Sequence, residues 1–121
     1  MKISEPSVKK EKILVIEWLV ENFPAAFFVK AKQVKPLKIG IFDDIVDFYE
    51  RLDVKPFSKK LLREALNYYS GSPAYLNCQK AETARIDLYG NEVDVVTVDQ
   101  AKYAYQRYQQ RYVERLRATD K

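Results

Sequence analysis

The chain has 121 residues, 47% of them hydrophobic and 13% aromatic, enough apolar mass for one packed domain and too much for a disordered chain. It has no histidine and a single cysteine, Cys78, so it lacks the commonest general base, an internal disulfide and a cysteine cluster for zinc. The formal charge is +4, and no apolar run matches a signal-peptide core or a membrane span; a cytoplasmic, non-catalytic monomer is expected, with no catalytic residues, cofactor, metal, membrane partner or small-molecule substrate.

Residues 1–7 are polar and contain Pro6, so they are expected to fray. Ser7 then reads as the cap of a helix running to about Asn22, with Ile13, Ile16, Trp18, Leu19, Val20 and Phe23 on its apolar side. Pro24 to Phe28 reads as one further helical turn whose two phenylalanines anchor the core. Lys30, Lys32, Lys35 and Lys38 follow, interrupted by Pro36; this reads as an extended, exposed arm able to lay lysines along a phosphate backbone.

Gly40 suggests a close backbone approach or a helix entry. From Ile41 to Leu52 the period is helical, with Ile41, Phe42, Ile45, Phe48, Tyr49 and Leu52 on one side and Asp43, Asp44, Asp47 and Glu50 on the other. The Asp-Asp-x-x-Asp spacing resembles a magnesium motif of diphosphate chemistry, but the chain offers neither a large helical cavity nor a second acidic cluster, so the acids read as a solvated face.

Ser58 caps the next helix, whose Leu61, Leu62, Ala65, Leu66 and Tyr69 fall on one arc while Lys59, Arg63 and Asn67 form an outer ridge of donors. Gly71 is expected to end it in a left-handed conformation. Ser72 then caps a new helix with Pro73 at its first position, and free N–H groups at 73–75 are expected beside Tyr75, a site attractive to anions. Residues 84–88 and 92–96 alternate apolar and polar around Tyr89-Gly90-Asn91 and predict a β-hairpin, Ile86 and Leu88 inward and Arg85 on the opposite face. Thr97 and Gln100 form a capping-box pattern for a last helix to about Ala118. Its stripe of Ala101, Ala104, Tyr105, Tyr108, Tyr112 and Leu116 reads as packing, and Arg107, Arg111 and Arg115 as a secondary electrostatic surface.

The fold class is therefore α+β, predominantly α: a compact helical domain of about five helices with a small β-hairpin. Charge is unevenly spread along it. Lys30–Arg63 holds nine Lys/Arg against five Asp/Glu, residues 64–96 two against five, and Thr97 onward six against three. Two separate positive blocks favour a polyanionic partner.

Several ordered blocks then resemble a known family. They are Phe23-Pro24 with Phe27 or Phe28; Lys35-Pro36-Leu37-Lys38-Ile39-Gly40-Ile41-Phe42; Ser58-Lys59 with Leu62-Arg63-Glu64-Ala65-Leu66; Tyr75-Leu76; and Ala84 to Leu88 with Gly90. In that order and spacing, over about residues 8–118, the chain resembles the ProQ/FinO family of bacterial RNA-binding domains, leaving 1–7 and 119–121 as flexible ends. The resemblance implies an RNA chaperone that binds the base of intrinsic-terminator hairpins and the 3′ U tail of small RNAs and mRNAs, protects 3′ ends and promotes RNA–RNA pairing. Its partner is then structured RNA with a 3′ single-stranded tail. By that similarity Lys35, Lys38, Lys59, Arg63, Tyr75 and Arg85 match positions on the RNA-binding concave face, and the turn at Ser72, before Tyr75, matches the pocket for the 3′ end. Asn67 and Ala74 depart from the pattern, where relatives often carry basic residues. The competing reading is a protein-interaction adaptor whose basic surface meets an acidic partner.

Overall fold

A computed structural model describes residues 4–114. The expected helix end at Ala118, with Arg115 and Leu116, and the terminal segment 119–121 lie outside the described residues.

Helix α1 (Ser4–Asn22) begins three residues ahead of the expected cap, so Ser7 is a helical residue. Pro6 is tolerated there because first-turn N–H groups have no partner in the helix. The side of α1 that enters the core is Val15, Leu19 and Phe23, whereas Ile13, expected inside, is exposed. Trp18 meets Phe23, Phe48 and Phe57 edge-on, with centroids 6.3, 5.8 and 5.0 Å away. The single turn after Pro24 closes as expected, Ala26 and Phe27 N–H donating to the Phe23 carbonyl at 3.0 and 3.1 Å.

The lysine-rich segment is not a free arm. A 3₁₀ turn at Ala31–Gln33 leads into an extended run in which Val34, Pro36 and Leu37 are buried while Lys32 and Lys35 stay exposed. The reason is backbone pairing: Ile86 N–H donates to Pro36 O at 3.0 Å, and Lys38 N–H to Ile86 O at 2.8 Å, a parallel bridge at Leu37. Alternation puts Val34 and Pro36 inward with Lys35 outward, and the bridge to Ile86 buries Leu37 as well.

Helix α2 (Ile41–Glu50) follows Gly40, which marks the helix entry, and buries Ile41, Ile45 and Tyr49. Helix α3 (Lys59–Ser70) is capped by Ser58 Oγ accepting from Leu61 N–H at 3.0 Å, and it buries Leu62, Ala65, Leu66 and Tyr69. It packs on α1 and α2. The outer ridge of Lys59, Arg63 and Asn67 is exposed, as its spacing requires.

Gly71 does end α3, but its φ is −98° and not left-handed. The constraint is space: a Cβ there would collide with Arg111 Nη1 and press on Asn67 O. Helix α4 (Pro73–Cys78) starts at once and packs on helix α5 (Val98–Tyr108). The capping box of α5 is complete, Thr97 Oγ1 accepting from Gln100 N–H at 3.1 Å and Gln100 Oε1 from Thr97 N–H at 3.0 Å. The helix then widens into a π turn over Gln109–Val113.

Strands β1 (Ala84–Ile86) and β2 (Glu92–Val95) form the expected antiparallel hairpin, shorter than its alternation predicts. Asp87 shortens it by accepting from Tyr89 and Asn91 N–H, each at 2.9 Å, which turns the chain two residues early. Those contacts, Asn91 N–H foremost, hold the Asp87 carboxyl below its usual range. Ile86 and Leu88 are buried as expected. Gly90, at φ +85°, lies where an added Cβ would stand 3.0 Å from Ala25 Cβ, so the hairpin tip rests on the turn after α1. Gly90→Ala should lower stability by about 1–2 kcal/mol, the cost of a left-handed alanine, as read from urea denaturation.

Candidate nucleic-acid interface

The Leu37 peptide is held from both sides. Its N–H donates to the Tyr75 hydroxyl at 3.0 Å, and its carbonyl accepts from Arg85 Nη1 at 2.9 Å. Tyr75 comes from α4 and Arg85 from β1, so the backbone of this one residue, through the peptide groups on either side of it, joins three segments distant in sequence. Arg85 Nη2 continues to Gln100 Oε1 at 3.1 Å, the same oxygen that completes the α5 capping box. Burial pushes the Tyr75 phenol up from its ordinary value.

Arg85 is only 7% exposed, although its strand position promised a surface cation. Both acceptors it has are neutral, and its Nε has none. Among the described residues no carboxylate lies within ion-pair distance of it. It lines a cleft of about 710 Å³ between α3, α4 and α5, together with Asn67, Gly71, Tyr75, Tyr103 and Arg107. Arg111 and Asp99 complete its charged lining, three arginines against one aspartate.

The other expected cations gather elsewhere, around α2. Lys38 Nζ lies 2.7 Å from Asp44, and Lys59 Nζ lies 2.7 Å from Glu50. Hydrogen bonding to these partners raises both lysines and lowers Glu50. The α2 acids form the expected solvated face, with Asp43, Asp47 and Glu50 exposed, and two of them pair with lysines. Both pairs are exposed and exchangeable, which leaves the lysines able to leave a carboxylate for a phosphate. Arg63 lies over the Phe42 ring, its guanidinium carbon 4.2 Å from the centroid, and Lys35 Nζ is 5.9 Å from the Phe28 centroid. The α3 ridge connects the two regions: from Lys59 through Arg63 to Asn67, at the cleft, is about 12 Å of helix.

The corner at Ser72 differs from expectation. Pro73 has no N–H, and Tyr75 N–H is taken by Ser72 Oγ at 3.2 Å, so the cluster of free amides expected at 73–75 shrinks to Ala74. Ser72 Oγ in turn donates to Tyr69 O at 2.8 Å. Its only proton is thus spent in holding the α3–α4 corner.

The sequence reads the tyrosines of this helix as packing and its arginines as a secondary electrostatic surface, and the structure departs from that reading at Tyr105. Tyr105 is 63% exposed, and Arg107 and Arg111 belong to the same cleft as Arg85. Arg111 Nη1 and Tyr112 hydroxyl both donate to the Gly71 carbonyl, at 3.3 and 2.8 Å, tying the π turn to the corner. The i, i+4 spacing of these arginines is the sequence signal for that surface. Cys78 is half-buried, donates to Tyr75 O, and burial pushes its thiol up to about 11.

The model of the ProQ/FINO family matches residues 9–121. The chain belongs to the ProQ/FINO family. It is 77% identical to a ProQ homolog from Legionella pneumophila whose solution structure superposes with a TM-score of 0.75, over 84% of this chain and 83% of that one. A FinO-like RNA chaperone from Neisseria meningitidis shares the fold at 21% identity, with a TM-score of 0.62 over 87% of this chain and 82% of that one. Among curated relatives, the RNA chaperone ProQ of Aeromonas salmonicida is 44% identical over 76% of this chain and 42% of its own length. That of Idiomarina loihiensis is 36% identical over 98% of this chain and 57% of its own length. The chain thus spans about half the length of these curated ProQ proteins. No described helix is long and apolar enough to cross a membrane.

A buried tyrosine of α3 carries a pH signature. Tyr69, whose hydroxyl accepts from Phe28 N–H at 3.1 Å, has its phenol pushed by burial from 10.0 up to about 12. The folded state favours the neutral phenol, so its contribution is whole below pH 10 and is lost as pH rises from 10 through 12. Urea midpoints should fall across that window, and less steeply in Tyr69→Phe.

Proposed function

We propose that this chain is an RNA-binding protein and RNA chaperone that takes structured RNA ending in a 3′ single-stranded tail. In this reading it meets the base of intrinsic-terminator hairpins and the 3′ U tail of small RNAs and mRNAs, protects 3′ ends and promotes RNA–RNA pairing. The observation that carries it is the counter-ion missing from Arg85, a buried guanidinium beside an open cleft with an unpartnered Nε. Taking a charge out of water costs several kcal/mol unless it is compensated. A phosphate in the cleft supplies that compensation, since two unit charges 4 Å apart near a protein surface attract by about 4 kcal/mol.

RNA fits better than an acidic protein because the cations continue past the cleft. Lys35, Lys38, Lys59 and Arg63 lie on exposed or half-exposed ground along α3 and beside α2, suited to a phosphate backbone. An A-form stem hides its base edges in a deep, narrow groove, so these side chains track phosphates and read shape. Tyr75 and Arg85 then form the floor for the tail, and Ser72 holds the corner that sets them. The names of the curated relatives, RNA chaperone ProQ, agree with this reading.

The test compares a hairpin bearing a 3′ U tail with the same hairpin cut blunt, by fluorescence anisotropy over a range of salt. The intact protein should prefer the tailed RNA. Arg85→Lys, which keeps the charge but loses the fork, should lose that preference while remaining folded by circular dichroism. Lys59→Gln should reduce the salt slope by about 1 for both RNAs. Equal binding of blunt and tailed hairpins removes the 3′-tail reading. A stoichiometric acidic protein that co-purifies after nuclease treatment replaces it with an adaptor.

A further inference from the structure

We propose that Tyr103, backed by Arg107, is a stacking platform for one unpaired nucleobase, so that the cleft grips a base as well as phosphates. The inference rests on the RNA-binding reading and adds a second wall to the site. Tyr103 is 60% exposed while its neighbour Ala104 is buried, so the ring contributes little to the core. It faces the same cleft as Tyr75 and Arg85.

The ring is held in place. Arg107, one helical turn on, has its guanidinium 5.7 Å from the ring centroid and donates from Nη1 to the Tyr103 hydroxyl at 3.2 Å. Two side chains already fixed to each other have less freedom to lose when a ligand arrives. An aromatic face beside cations is what single-stranded nucleic acid needs, bases on the ring and phosphates on the arginines. The cleft supplies both, with Arg85, Arg107 and Arg111 outnumbering Asp99.

The occupant follows from this chemistry. Every base has a π face, so the platform is indifferent to sequence but requires a base that has left its helical stack. A blunt stem presents none. Tyr103 would therefore help to separate a tailed 3′ end from a paired one by adding a contact to the base to the phosphate contacts of the arginines.

The experiment uses the full chain with two RNAs: a hairpin with a four-uridine 3′ tail, and the same hairpin with abasic sugars in the tail, which keeps every phosphate. The intact protein should bind the abasic tail roughly tenfold more weakly, the order expected for loss of one stacked base. Tyr103→Ala should bind the two RNAs alike, with its salt dependence unchanged; Tyr103→Phe, which keeps the ring, should retain the preference. A Tyr103→Ala protein that still favours the base-bearing tail overturns the platform and leaves RNA binding standing. A Tyr103→Phe protein that loses the preference also overturns it, because the hydroxyl and not the ring would then be responsible. If the intact protein binds neither RNA, both readings fall together.

Discussion

Two opposed hydrogen bonds on the Leu37 peptide hold the site together. Tyr75 accepts from its N–H and Arg85 donates to its carbonyl, so α4, the run ahead of α2 and the hairpin cannot shift independently. The same arginine leans on Gln100, whose oxygen also caps α5, and the cleft wall is thereby set by a helix cap. Tyr75 and Arg85, two of the residues proposed to meet RNA, are therefore part of the frame. Truncating either one removes a bond to a buried backbone group as well as a contact to ligand, a loss of about 1–3 kcal/mol in stability for the group left unpaired.

Much of the fold was legible because local chemistry and burial agreed. Ser58, Thr97 with Gln100, and the alternation through Ile86 and Leu88 each named an element that the structure contains. What escaped was decided by long-range pairing. The lysine-rich run looked like an arm because Pro36 forbids a helix, yet its carbonyl can still accept from the Ile86 N–H, and that bond draws the run into the sheet. Gly71 looked like a left-handed terminator, whereas its missing Cβ makes room for Arg111, forty residues away.

The site was legible in part for the same reason. Spacing along α3 correctly set Lys59, Arg63 and Asn67 on one exposed ridge. Period-two alternation put Arg85 on the face away from Ile86 but said nothing of α5 covering it, so a buried cation was read as a surface one. The amide cluster at Ser72 failed on simple stoichiometry, since proline brings no donor and the cap consumes another. Electrostatic attraction at this site therefore comes from guanidinium groups. The paired lysines around α2 serve as a softer outer region, already half satisfied by Asp44 and Glu50.

Among the described residues Arg85 has no counter-ion, and in the proposed function RNA supplies one. Its side-chain N–H resonances in nitrogen-15 spectra report this directly. On titration with a U-tailed hairpin, the Arg85 guanidinium signals should move and exchange more slowly with water, while the blunt hairpin leaves them in place. Signals that stay unchanged at saturating tailed RNA, while those of surface lysines respond, would contradict the account.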